Sequence, residues 1–75
     1  MSPHRSNDKQ NAILAYIQKM IEDQGIAPTI DEIKTGCGLS TKSLVAYHLK
    51  LLERNGRIKI IPYLPRGIRL CQYTT

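Results

Sequence analysis

Residues 40–56 read STKSLVAYHLKLLERNG, and the fold turns on how this stretch projects around a helix. At about one hundred degrees per residue, Val45, His48, Leu49 and Leu52 fall on one side with Leu44 and Leu51 at its edge. Ser43, Ala46, Tyr47, Lys50 and Arg54 fall on the other. The apolar side is wide enough to face a core, so the stretch is an amphipathic helix. Ser40 offers an N-cap hydroxyl ahead of it and Asn55-Gly56 a stop, which predicts a third helix from Thr41 to about Arg54.

Working upstream, Thr29 followed three residues later by Glu32 forms a capping box, in which each side chain satisfies a free amide of a new first turn. A short helix from Ile30 to about Cys37 follows, weakened at its end by Gly36 and Gly38. Two helices joined by a tight glycine turn result. Further back, Ile13, Leu14, Ile17, Met20 and Ile21 recur at helical spacing, which gives a first helix beginning near Asn7 or Asp8. Gly25 ends it at about Gln24, and Pro28 prevents its resumption.

Downstream of Gly56 the period changes from helical to alternating. Ile58 and Ile60 point one way, Arg57 and Lys59 the other. Pro62 and Pro65 bracket a loop that cannot continue a ladder, and Gly67 permits the bend before Ile68-Arg-Leu-Cys71 returns as the second strand. The expected architecture is mainly α with a small β-hairpin: a winged helix-turn-helix, three helices followed by a two-stranded antiparallel wing. Residues 1–8 are expected as a flexible arm, 9–71 as the domain and 72–75 as a tail.

Seventy-five residues make one small domain. Cys37 and Cys71 match no metal-ligand spacing and sit beside apolar neighbours, so they read as small buried, reduced thiols. The chain shows no signal peptide and no stretch of membrane-spanning length, which places it in the cytoplasm without a membrane partner. Its net charge of +5 is one-sided. Lys42, Lys50, Arg54, Arg57, Lys59, Arg66 and Arg69 follow Thr41 against Glu53 alone, giving that part +6 and the part before it −1. A one-sided positive field attracts a polyanion, and a helix with exposed Phe or Trp that would favour a lipid surface is missing.

An enzyme reading fails on inventory: there is no close carboxylate pair, no oriented Cys/His arrangement and no glycine-rich phosphate loop. No cofactor and no small-molecule substrate are expected. The outer face of the third helix instead meets the needs of a recognition helix. It has short polar groups at its N-terminal end to approach base edges and longer cations further along to reach phosphates. The sites so predicted are Ser40, Thr41, Lys42, Ser43, Leu44, Ala46, Tyr47, Lys50 and Arg54 on or before the helix, with Lys59, Arg66 and Arg69 on the wing. Thr41, Lys42 and Ser43 also offer free amides at the positive end of the helix dipole, beside capping by Ser40. Each cation alone reads as a solvated charge, and their clustering favours DNA. Tyr47 either faces DNA or packs under the wing. His48, on the apolar side, reads as a core histidine bonded to backbone. Arg5 on the arm either reaches a groove or idles. The rival from another class is a protein-interaction module docking on RNA polymerase or another repressor.

Four blocks carry a further likeness: Ala27-Pro-Thr-Ile-Asp-Glu-Ile33; Gly38-Leu39; His48-Leu-Lys50 with Leu52 and Gly56; and Arg66-Gly-Ile-Arg-Leu70. Over Gln10 to Leu70 the chain resembles the N-terminal DNA-binding domain of the LexA repressor family. The resemblance implies a third helix entering the major groove of an inverted-repeat operator, with the wing touching the backbone nearby. The family's groove-facing positions fall on Thr41, Ser43, Leu44, Ala46 and Tyr47, whose types differ from those of familiar members, so a different operator is implied. Nothing corresponds to the family's self-cleaving, dimerising C-terminal domain. Damage-triggered cleavage is therefore not implied, and the chain is expected as a weak dimer or as a monomer that pairs only on double-stranded DNA. It is either an excised domain or a naturally short relative.

Overall fold

A computed structural model describes the backbone of residues 5–71 and the side chains of residues 8–71. The elements run α1 (Arg5–Gln24), α2 (Ile30–Cys37), α3 (Lys42–Arg54), β1 (Ile58–Ile60) and β2 (Ile68–Leu70). Helix α1 begins earlier than the predicted Asn7 or Asp8. Nothing from Arg5 to Asp8 breaks a helix, and a polar first turn carries no apolar period by which to be seen. The tail at 72–75 and the side chain of Arg5 lie outside the described residues.

The start of α2 forms as its sequence dictates. The Thr29 hydroxyl accepts from the Glu32 amide at 3.2 Å, and the Glu32 carboxylate accepts from the Thr29 amide at 2.9 Å. Such a cap is worth about 1 kcal/mol. At the other end Gly38 adopts the left-handed conformation, φ 70, and its amide reaches the Lys34 and Thr35 carbonyls, while the Leu39 amide returns to Lys34 at 2.9 Å. A side chain at Gly38 would strain that turn, so the glycine fixes where α2 stops and α3 departs.

Helix α3 is capped one residue later than predicted. Thr41, not Ser40, holds the extended cap conformation, and its Oγ1 accepts from the Leu44 amide at 3.1 Å. Two adjacent hydroxyls competed for the cap, and either spacing suits the motif. The helix closes through Asn55 and Gly56, with the Arg57 amide returning to Leu52 at 2.9 Å.

Strands β1 and β2 pair antiparallel with Ile58 opposite Leu70, Lys59 opposite Arg69 and Ile60 opposite Ile68. Gly67 is needed for close approach, because a methyl group there would collide with the Ile61 carbonyl at the point where the Ile61 amide donates to Gly67 O at 2.9 Å.

One core serves all these elements. Ile13 and Ile17 from α1, Ile33 from α2, Val45 and Leu52 from α3 and Ile58 from β1 are fully buried, with Leu14, Leu49 and Ile68 nearly so. The predicted inner face of α3 is the buried one. Cys37 and Cys71 are free thiols, half-buried rather than buried as expected. Burial pushes the Cys37 thiol above its ordinary pKa. His48 is buried, but its Nδ1 has no hydrogen-bond partner among the described residues, so the expected backbone bond is not made there. Burial, reinforced by the Lys9 ammonium, holds its pKa below the ordinary imidazole value.

Candidate nucleic-acid interface

With Val45, His48, Leu49 and Leu52 committed to the core, the remaining side chains of α3 must point outward. Thr41, Lys42, Ser43, Leu44, Ala46, Tyr47, Lys50 and Arg54 are all exposed, as is Ser40 just before them. The period of the helix therefore turns seven of the predicted positions outward, with Ser40 and Thr41 just before them. Tyr47 is 59% exposed, with its ring edge-on to His48 at 5.4 Å, and so is not packed under the wing.

The wing is fastened alongside this face by two polar links. The Glu53 carboxylate on α3 accepts from the Ile60 amide at 3.1 Å, which ties β1 to that helix. Arg66 supplies the second link. It donates to both carboxylate oxygens of Glu32, at 2.8 and 2.9 Å, and to the Ala27 carbonyl at 2.8 Å. The guanidinium holds the Glu32 carboxyl down at about 2, with help from the Thr29 amide, and the Arg66 pKa rises in return. A single fork thus joins the wing loop to the capping box of α2.

Two consequences follow for the predicted cations. Arg66 is engaged within the fold, whereas the sequence placed it among the phosphate contacts; a charge count does not show which acid a side chain can reach. Lys42 is also paired, with Asp31 at 3.0 Å, although both partners are well exposed. Lys50, Arg54, Lys59 and Arg69 have no acidic partner in ion-pair range among the described residues. Lys59 and Arg69 face one another across the hairpin, both exposed. Like charges directly opposite repel, an arrangement that a bound polyanion relieves.

Between α3 and the wing lies a cleft of about 270 Å³, floored by Ala46, Leu49, Ile60 and Ile68 and rimmed by Lys50. It continues past Leu64 and Pro65 to Ser43 and the start of α2. Leu64 and Pro65 are contributors that the sequence reading missed. Pro62 and Pro65 marked the loop, but nothing local revealed that it folds toward Ser43 and Ala46. At its tip Tyr63 is 98% exposed and takes a positive φ of 75, which is uncommon for a bulky residue. Among the described residues no helix is long and apolar enough to cross a membrane, and no cluster of His, Cys, Asp and Glu is suited to hold a metal ion.

Comparison with known proteins agrees with this arrangement. The family described as LexA DNA binding domain matches residues 5–67. The chain is 44% identical over 62 residues to a LexA repressor from Methylococcus capsulatus, covering 83% of this chain and 31% of that protein. It is 37% identical over 68 residues to a LexA repressor from Limosilactobacillus fermentum, covering 91% and 33%, and 42% identical over 66 residues to one from Ligilactobacillus salivarius, covering 88% and 32%. The chain thus spans about a third of the length of the curated relatives it matches. An exposed, partly cationic face on α3, a hairpin fastened beside it and a family match over most of the sequence lead to one assignment: the chain belongs to the LexA DNA-binding domain family.

Proposed function

We propose that the chain binds double-stranded DNA sequence-specifically and serves transcriptional repression. Helix α3 enters the major groove of an operator, and Thr41, Ser43, Leu44, Ala46 and Tyr47 approach base edges. Lys50 and Arg54 hold phosphates on the same face, and Lys59 and Arg69 do so from the wing. The amides of Lys42 and Ser43 at the positive end of the α3 dipole add a phosphate contact, with Ser40 beside them. Arg66 contributes indirectly, by fixing the wing.

The observation that carries this reading is the exposed face of α3, where short side chains at the N-terminal end are followed by Lys50 and Arg54, unpaired among the described residues. The relatives named LexA repressor supply the regulatory part. Two copies occupy the half-sites of an inverted repeat, pairing weakly or only on DNA, and repression follows from occupying a promoter. The site of action is the cytoplasm, where a bacterial or phage operator lies.

Selection of sites from a randomised duplex library at near-physiological salt tests the proposal. Enrichment of an inverted repeat is the expected result. A folded sample that enriches nothing overturns it, and favours docking on another transcription protein.

A further inference from the structure

The reading end of α3 is unusual in what it lacks. From Thr41 to Tyr47 there is no Arg, Asn, Gln, Asp or Glu, the side chains that pair in bidentate fashion with guanine or adenine or accept from cytosine. The one charged donor in that span, Lys42, pairs with Asp31 at 3.0 Å, with both side chains exposed, and would have to leave that acid to reach a base. The Thr41 hydroxyl already accepts from the Leu44 amide. What remains to meet a base edge is the single hydroxyl of Ser43, which offers no bidentate pair, and a larger apolar surface: Leu44, 40% exposed, then Ala46 and the ring of Tyr47, 59% exposed. Leu64, half exposed, adds an apolar side chain from the wing loop beside Ala46, in the groove that Ser43 and Ala46 line.

The major groove presents one apolar feature to such a surface, the C5-methyl group of thymine. A solvent-exposed leucine amid cations is badly placed in water and well placed against a methyl group held between phosphates. Lys50 and Arg54, on the same face and unpaired among the described residues, supply the charge that brings a duplex there.

We infer that this chain selects its operator chiefly by thymine C5-methyl groups packed against Leu44 and Ala46, in place of bidentate hydrogen bonds to base edges. The inference rests on the proposed DNA-binding function and specifies its ligand as a duplex with thymines at the positions facing these two side chains. Removing one buried methyl from the DNA weakens binding about four-fold.

Two randomised duplex pools, identical except that one is amplified with thymidine and the other with deoxyuridine triphosphate, are selected in parallel with the whole chain. The expected result is a motif enriched from the thymine pool and lost from the uracil pool. The recovered duplex, remade with single uracils, then binds about four-fold more weakly at one or more positions. Leu44→Ala, an exposed and conservative truncation whose folding is checked by circular dichroism, binds thymine and uracil duplexes alike at the position Leu44 reads. Enrichment of the same motif from both pools with equal affinity overturns the inference while leaving DNA recognition intact. A thymine-to-uracil ratio unchanged in Leu44→Ala overturns the assignment to Leu44. Enrichment from neither pool overturns the DNA-reading function and this inference with it.

Discussion

The pairing of cations divides them into two groups that a salt titration separates. Lys50, Arg54, Lys59 and Arg69 are exposed and unpaired among the described residues, whereas the Arg66 fork is filled by Glu32 and Ala27. If each unpaired cation neutralises one phosphate, four condensed counterions leave per monomer bound. Affinity then falls as about the 3.6 power of salt, roughly two orders of magnitude between 50 and 200 mM. Lys50→Gln and Arg54→Gln each lower that slope by about 0.9 and weaken operator and random DNA equally. Arg66→Gln leaves the slope where it was, because it removes no phosphate partner; any loss it causes has the same size at every salt concentration. Fluorescence anisotropy of a labelled duplex, titrated with each variant in a KCl series, reads all of these quantities. A flat salt response refutes the electrostatic account. A slope reduced by Arg66→Gln as much as by Lys50→Gln refutes the division between structural and phosphate-facing cations.

Other expectations come from the same geometry. Tyr47→Ala costs about 1–3 kcal/mol on the selected operator and little on random duplex if the ring meets a base, and equal losses on both sequences in a competition assay make it a backbone contact instead. Ile33→Ala, at the centre of the core with no exposed surface, destabilises by about 2–5 kcal/mol, which urea unfolding reads; a loss well under 1 kcal/mol contradicts the packing. The Glu32 carboxyl is held at about 2 in the fold against an ordinary value of 4.5. Its contribution is therefore complete above about pH 4.5 and disappears as the pH falls toward 2. The Tm of Glu32→Gln lies below that of the parent chain at neutral pH and converges on it in acid, whereas parallel Tm profiles show that the ion pair does not matter.

The parts of the structure written in local chemistry were legible in the sequence. Thr29 and Glu32 announce the start of α2, Gly38 its end, and the spacing of Val45, His48, Leu49 and Leu52 decides which side of α3 is free. Each of these depends on residues within a turn or two of one another. What escaped depends on distance along the chain. Arg66 meets Glu32 across 34 positions, and no local pattern distinguishes it from Arg69, which is unpaired among the described residues. The loop between the two strands is visible through its prolines, but its direction toward Ser43 is set by the clamp and the cleft. The choice of Thr41 over Ser40 as the cap is a contest between neighbouring hydroxyls that spacing alone leaves open. Leu44 stood at the edge of the helical projection, where spacing alone leaves its side open; the family resemblance placed it outward, and it is 40% exposed.

The fork from Arg66 to Glu32 also has a thermodynamic consequence. A hairpin joined to its domain only through a short turn would have to surrender its freedom of movement when DNA arrived, and that entropic cost would be subtracted from the gain of every phosphate contact it made. Here the cost has already been met during folding, so the wing is preorganised, and in the proposed complex its contacts count more fully toward affinity. Loosening the fork should therefore weaken association without removing any contact to DNA, and the penalty should be greatest for duplexes that rely on the wing.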